Sequence, residues 1–555
     1  MNSMKEVKIM LHDYQLFTSG KGNTRVYYKG SASSKDGELL PEGGLPLLPD
    51  ELENAPRSTE LILLEKLSEI CGLFSMVIMK EGACYLAVDI IRSSPLFYGF
   101  HNNSLFITDN LHEFQKVNDP LPVHEEKLEE FMFTGFVLGS HTVFRDVFAT
   151  QAGEIVTIEN NQVSSKRYFT YHPLVSTDQQ KDDINFPQAL DRLLLSAFSR
   201  MIRQTPHINR WLVPLSGGHD SRIIVNTLYK LGIRNVVCYT YGTKGNEQSV
   251  LSKQVAEALG FEWHFVEYSE QKWDQLHREG VLDNYLHFAF NGVSTPHLQD
   301  IPAVYELIHQ GVIKNGDVFV PGHSLDLLAG CWLESGDLID MGKPGALQRA
   351  TQKWVGIKEP EFVPSEAIEK VFNSADISPL HFQEYFNWQE FRTKFVVNSI
   401  RGYEFFGFES RLPYWDKELV DFWLAIAPQD KIGRKVLFDA EKKGILVNAL
   451  TGIPYAGKTP EKSIVKTLLR RLLPERIKNI MLRISGYKVR MNEGLNQIYA
   501  MKAHTVKEML EPLEDFPRHA RPYLQKFIDR QPGQVNYNHL TAMYTVRKHM
   551  DLWKN

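Results

Sequence analysis

WLVPLSGGHDSRIIVNTLYKLG, residues 211–232, decides how the larger part of this 555-residue chain folds. WLVPL (211–215) is an apolar strand, and Ser221 to Leu231 repeats apolar residues at helical spacing until Gly232 ends the run. Between them lies Ser216-Gly217-Gly218-His219-Asp220-Ser221. Two glycines permit a tight turn whose amides can approach phosphate oxygens, and the turn opens onto a helix N-terminus that favours an anion. Ser216 and Ser221 add hydroxyl donors. Asp220 is the odd member. A carboxylate aimed at an anion site repels it unless a cation intervenes, so Asp220 points to Mg2+ bridging to phosphate. A Gly-Gly turn with a capping Asp or Ser is the simpler alternative. The order strand, turn, helix favours the phosphate site.

The pattern continues outward from this turn. VVCYTY (236–241) is a second strand, Gln248 to Leu259 a second helix ended by Gly260, and WHFVEY (263–268) a third strand. Strands alternating with helices predict a parallel α/β sheet. From about residue 380 the chain reads as mainly helical. Upstream, residues 73–108 alternate short apolar runs with EG and HNN turns, and VFATQAGEIVTIENNQVSSKRYF (147–169) repeats the pattern, so the first 170 or so residues form a mostly β, layered domain. STDQQKDDINFPQ (176–188) reads as a linker. The expected division is 1–172 and 186–555.

Composition narrows the function classes. With 43% hydrophobic and 23% charged residues and a net charge of -5, this is an ordinary globular chain with no global sign of nucleic acid binding. The four cysteines, Cys71, Cys84, Cys238 and Cys331, are too far apart for a metal finger and suit a reducing compartment. No stretch has the roughly 18 apolar residues of a membrane span. A cytoplasmic location is expected. TGIPYAGKT (451–459) satisfies G-x-x-x-x-G-K-[ST], but no apolar strand with a metal-binding Asp follows it, so the match to a nucleotide loop is read as accidental.

At SGGHDS the chain resembles the ATP pyrophosphatase superfamily, whose signature is SGG-x-DS, and within it asparagine synthase and its relatives, β-lactam synthetase included. TYGTKGNEQSVLSKQVAEALGFEWHFVEY (240–268) resembles the family's second strand, acidic residue and helix, with Glu247 in the acidic position. VFVPGHSLDLLAG (318–330) resembles SGEG-x-DE-x-x-x-G, with Asp326 as the second magnesium-binding aspartate. RLPYWDKELVDFW (411–423) is similar to R-x-P-F-L-D, and KIGRKVLF (431–438) to K-x-x-L-R, placing Lys435 near the phosphates. GLFSMVIM and AVDIIRSSPLFYG resemble the family's glutaminase-fold stretches.

The resemblance implies an N-terminal glutaminase-like, Ntn-type β-layered domain followed by an α/β ATP pyrophosphatase domain. It implies an ATP- and Mg2+-dependent ligase that adenylates a carboxylate and releases AMP and pyrophosphate. Nucleotide contacts are implied at Leu215, Ser216, Gly217, Gly218, Asp220, Ser221, Tyr241 and Gly322, metal at Asp220 and Asp326, and catalytic roles at His323, Lys435 and Lys458.

Two positions set this chain apart, and a third follows the family. His323 stands where asparagine synthases carry a glutamate and β-lactam synthetase a tyrosine. An imidazole can act as general base near neutral pH with little tuning, and a hydrogen-bonded loop histidine is the equal alternative. Position 2 is Asn where glutamine-dependent members have the nucleophilic Cys, so no glutaminase activity is expected, and ammonia or a substrate amine is the nucleophile. Lys458 sits about where the family's loop lysine reaches pyrophosphate, and a solvated lysine is again the equal alternative.

The sequence is most similar to asparagine synthase-related proteins of bacterial capsule and O-antigen clusters, which implies a sugar carboxylate, with His297, Gln299 and Asp300 as acceptor-pocket candidates beside the plain loop reading. The basic stretch 462–490, with Arg470, Arg471 and Arg476, reads first as a solvated helix face, second as a contact with anionic lipid. A non-catalytic ATP-binding scaffold and a nucleic-acid modifying enzyme remain as alternatives.

Overall fold

The computed structural model describes residues 6–456, apart from 21, 35–46, 55–57, 81, 118–120, 174–184, 341 and 355–364, together with 521, 525, 545 and 546. Lys458 and the basic stretch 462–490 lie outside the described residues.

Ten strands build the N-terminal layers: β1 (Glu6–Met10), β2 (Gln15–Thr18), β3 (Arg25–Ser34), β4 (Ile70–Lys80), β5 (Ala83–Val88), β6 (Phe97–His101), β7 (Ser104–Thr108), β8 (Val147–Ala149), β9 (Glu154–Glu159) and β10 (Gln162–Arg167). They form a four-stranded sheet in the order β1-β7-β6-β8 and a six-stranded sheet in the order β10-β9-β5-β4-β3-β2. The HNN and ENNQ turns join β6 to β7 and β9 to β10. Both use two consecutive asparagines at positive φ, 50° and 63° at Asn102 and Asn103, and 52° and 62° at Asn160 and Asn161. That backbone matches the strand twist of a tight hairpin, and Asn tolerates it. Strand β4 is buried on both faces, because Val77 packs with Leu86, Leu105 and Ile107 while Met76 and Ile78 pack under Leu63 and Leu67. The sequence reading missed β1 to β3, whose polar run RVYYKGSASS gives little alternation.

The second part is organised by a parallel sheet of β11 (Trp211–Pro214), β12 (Val236–Gly242), β13 (Glu262–Glu267), β14 (Val318–Phe319) and β15 (Glu409–Ser410), in the order β13-β12-β11-β14-β15. All four pairings are parallel. Three helices flank it: α1 (Phe186–Arg203), α2 (Asp220–Lys230) and α3 (Glu247–Leu259). The expected linker ends early, since the Asn185 side chain caps α1 by accepting from the Gln188 amide. Asn246 caps α3 in the same way and Gly260, at φ 68°, ends it. Strand β11 comes first in the chain yet lies between β12 and β14. The connection thus reverses direction across the sheet at β11 and β14, and ligand crevices in such sheets open at the carboxyl ends of the strands flanking that reversal. Beyond residue 380 the described chain is mainly helical, as expected.

Candidate functional site

The carboxyl end of β11 runs into Ser216–Ser221, and the carboxyl end of β14 into Pro321–Asp326, so the two stretches lie side by side. In the first, the Ser216 amide donates to Ser221 Oγ (3.0 Å) and the Gly218 amide to Ser216 Oγ (3.1 Å). The Gly217 amide donates to Gln248 Oε1 on α3 (2.6 Å), and its carbonyl accepts from the Ala456 amide (3.0 Å). Both glycine amides are engaged inside the protein, so an incoming phosphate has to exchange with these bonds. Glycine is required here by contact: a Cβ at Gly217 would lie 2.9 Å from the Ala456 methyl, and one at Gly322 3.0 Å from the Ser221 amide nitrogen.

The neighbouring stretch brings the two aspartates together. The Asp326 amide donates to Asp220 Oδ2 (3.0 Å), while Asp326 Oδ2 accepts from Arg392 Nη2 (2.8 Å) and from the Trp332 indole (3.2 Å). Burial, and then the adjacent Asp326 charge, push the Asp220 carboxyl up to about 8. For Asp326 the upward push of burial is outweighed by Arg392, and its carboxyl is held below the usual carboxylate range. The pair is thus short of positive charge on the Asp220 side. Two hard carboxylate oxygens in that state fit Mg2+, which binds through one or two carboxylates and completes its shell with waters and phosphate oxygens. Among the described residues no cluster of three or more His, Cys, Asp or Glu would hold a metal alone.

A cavity of about 630 Å³ opens beside the aspartates. Ser216, Gly218, Asp220, Ser221, Tyr241 and Gly322 of the sequence-predicted nucleotide set line it, as do His323 and the acceptor candidates His297, Gln299 and Asp300. Leu215 does not line it; it is buried behind, bonded to Tyr239 and Thr240. Glu247 is exposed at the start of α3. Lys435 is exposed too, and the cavity instead receives Arg434, at φ 60°, whose guanidinium lies 4.9 Å from the Phe438 ring centre. Arg434 was one residue away in a stretch already singled out. Arg392, Ser399 and Tyr403 come from a segment that carried no motif.

His323 departs from the simple expectation for an imidazole. The Ser399 hydroxyl donates to the Val396 carbonyl (2.7 Å), so its oxygen can only accept from His323 Nε2 at 3.2 Å. This assigns the proton to Nε2 and leaves Nδ1, which has no partner among the described residues, as the basic nitrogen. Burial, with His297 and Arg392 adding to it, pushes the ring down to about 3. It is neutral at pH 7 and tuned far from its ordinary value. His297 is lowered by burial as well, and its Nδ1 likewise lacks a partner among the described residues. Asp300 accepts from the Tyr403 hydroxyl (2.6 Å).

TGIPYA (451–456) is packed onto this site. Arg222, fully buried on α2, donates to the carbonyls of Ile453 and Pro454 (both 2.6 Å), and its guanidinium sits 3.8 Å from the Tyr455 ring centre. Tyr455 stacks on His219 at 3.7 Å, and His219 Nδ1 donates to Glu441 (2.8 Å). Residues 453–456 are therefore fastened to the phosphate turn.

Two family profiles match the chain: a glutamine amidotransferase domain over residues 63–169, and asparagine synthase over residues 342–480. No curated protein matches. Similar solved structures include the glutamine phosphoribosylpyrophosphate amidotransferase of B. subtilis complexed with ADP and GMP, at 14% identity over 45% of this chain and 72% of that one, TM-score 0.20. The NH3-dependent NAD synthetase of Campylobacter jejuni is 14% identical over 35% of this chain and 85% of its own, TM-score 0.20. The glutamine-dependent NAD+ synthetase of Acinetobacter baumannii, in complex with ADP, is 12% identical over 64% and 69%, TM-score 0.21.

Proposed function

We propose, for this chain of the asparagine synthase-like family, an ATP-dependent ligase that activates a carboxylate as its adenylate and passes the acyl group to an amine. The observation that carries this reading is the meeting of Asp220 and Asp326 at the ends of adjacent parallel strands, beside the Ser216–Ser221 turn and an open cavity. A free carboxylate is a poor electrophile. Attack of its oxygen on the α-phosphorus of ATP forms the acyl-adenylate and releases pyrophosphate; attack of the amine on the acyl carbon then forms the amide, releases AMP and leaves one proton to be removed.

The chain's own residues have separate tasks. The Ser216–Ser221 turn binds the phosphates, and Asp220 and Asp326 are the residues that would hold Mg2+. That ion would supply positive charge where negative charge develops on the departing pyrophosphate. Arg434 adds positive charge from the protein side. His323 Nδ1, bearing the lone pair, receives the amine's proton. Burial lowers its basicity, which suits release of that proton once the product leaves.

The finer assignments belong to the same proposal: a sugar carboxylate as acceptor, ammonia or a substrate amine as nucleophile without intrinsic glutaminase activity, a division at 1–172 and 186–555, a cytoplasmic location, and Lys458 reaching pyrophosphate. Among the described residues no helix is long and apolar enough to cross a membrane. The test is release of pyrophosphate from ATP with candidate sugar and amino-acid carboxylates plus ammonium. If no carboxylate elicits turnover that Asp220→Ala abolishes, the ligase reading fails.

A further inference from the structure

One helical segment touches both parts of the molecule at once. Residues 387–396 form a π-helical stretch, a wider turn that recurs at functional sites, and most of them are buried. On one side it is fastened to the N-terminal layers. The Trp388 indole donates to the Ile90 carbonyl (3.0 Å), Gln389 donates to Gln151 (2.8 Å), and Glu390 accepts from the Gly139 amide (3.1 Å). Lys394 Nζ donates to the carbonyls of Val137 and Gly139, both at 2.7 Å, and pairs with Glu390. An ammonium has three protons, and here each has a named acceptor, two of them on the N-terminal backbone. On the other side, Arg392 holds Asp326 and Val396 lines the cavity. Residues two apart on a helix point to nearly opposite faces, so Lys394 and Arg392 extend the same segment in two directions.

We infer that the N-terminal layers act as a positioning element for the synthetase site, with Lys394 as the positioning residue that sets Arg392 against Asp326. The inference goes beyond the ligase reading and rests on it only for the nucleotide measurement below. The N-terminal part then serves the second part mechanically, whatever its own chemistry.

The cost of removing the fastening is specific. A lone Lys394→Met change leaves Glu390 charged in the interior without its ammonium partner, which threatens folding. The paired change Lys394→Met with Glu390→Gln removes both charges at similar volume and frees the Val137 and Gly139 carbonyls from the segment.

Two measurements decide, both on the full chain. The first is the 19F resonance of Trp332 in protein labelled with 5-fluorotryptophan, assigned by Trp332→Phe, because this indole donates to Asp326 and lies 5.5 Å from the Arg392 guanidinium. The second is calorimetric affinity for Mg2+·ATP. In the paired variant, with a cooperative melt retained, the Trp332 resonance shifts and affinity falls about 5- to 10-fold, the range of a modest coupling between sites. In an Arg392→Gln background the paired change adds no further loss, since interacting residues are non-additive. Val156→Ala, in the core between the two N-terminal sheets, leaves both readouts as in wild type. An unmoved Trp332 resonance in the folded paired variant overturns the inference, as does additivity with Arg392→Gln or an equal shift from Val156→Ala. If wild type fails to bind Mg2+·ATP, the ligase reading falls, and the Trp332 resonance alone still decides this one.

Discussion

The two stretches at the carboxyl edge of the parallel sheet differ in how completely they satisfy themselves. Ser216–Ser221 closes its turn with its own hydroxyls and borrows Gln248 and Ala456 for the rest. Pro321–Asp326 holds Ser324 at φ 77°, a left-handed backbone that costs a non-glycine residue energy, and leaves both Ser324 Oγ and His323 Nδ1 without partners among the described residues. Buried polar groups are normally bonded, so the unbonded His323 Nδ1, on a residue that lines the cavity, marks where a ligand completes the structure. The first stretch is built for a ligand of fixed shape, the polyphosphate. The second keeps its bonding capacity for whatever the acceptor brings.

The sharpest way to break this comparison is to remove what joins the two stretches. Asp326→Asn keeps the amide that donates to Asp220 but loses the charge that would hold Mg2+. Loss of an electrostatic contact made to developing charge costs about 10²- to 10³-fold in turnover, and we expect pyrophosphate release to fall by that much, read well below a melting temperature that also drops because the buried Arg392 loses its carboxylate partner. A variant that keeps near-wild-type turnover would remove the metal role from this pair. Asp220→Asn is expected to act in the same direction while stabilising the empty protein, because it removes the carboxyl that burial already holds protonated.

A smaller effect separates the stretches from each other. Gly217→Ala places a methyl 2.9 Å from that of Ala456 and 3.2 Å from Gln248 Oε1, so the 453–456 loop has to lift off the phosphate turn. The expected result is a rise of roughly 10-fold in KM for ATP, with KM for the carboxylate unchanged, in line with about 1.4 kcal/mol per factor of ten. His323→Asn should do the reverse: kcat falls while KM for ATP stays. If both variants move the same parameter, the division of labour between the two stretches is wrong.

How legible each stretch was follows from where its partners come from. SGGHDS could be read because its strand, turn and helix are consecutive and each has a local signature. The hairpins at Asn102–Asn103 and Asn160–Asn161 could be read for the same reason. Asp326 came through a family resemblance, and Glu247, placed the same way, lies exposed at the start of α3. Arg392, Ser399 and Tyr403 could not be read at all. They lie on a largely buried run that passes from a π-helical stretch through a 3-10 turn into a short α-helix, so no single period marks which side chains face the site. Arg434 was missed because a left-handed residue at a helix start turns its neighbour Lys435 outward, and no spacing rule anticipates that.

The smallest effect is a difference in acid response, and it has opposite signs in the two stretches. Asp220 has its folded pKa raised, so the folded protein binds more protons than the unfolded chain between the ordinary Asp value near 4 and about 8. Its contribution to stability is fully present below about pH 4 and is lost as pH rises through about 8. His323 has its folded pKa lowered to about 3, so the unfolded chain binds more protons between there and the ordinary His value near 6.5. Its contribution is present above about pH 6.5 and is lost as pH falls toward 3. Melting temperature of the ligand-free protein measured across pH 5 to 9 should therefore decline more steeply above neutrality in wild type than in Asp220→Asn. Below pH 6.5 it should decline less steeply in His323→Asn than in wild type. Saturating Mg2+·ATP should flatten the alkaline decline, since the cation replaces the proton at Asp220, and leave the acid decline in place. An alkaline decline that survives Asp220→Asn would mean that the missing positive charge lies elsewhere in the cavity.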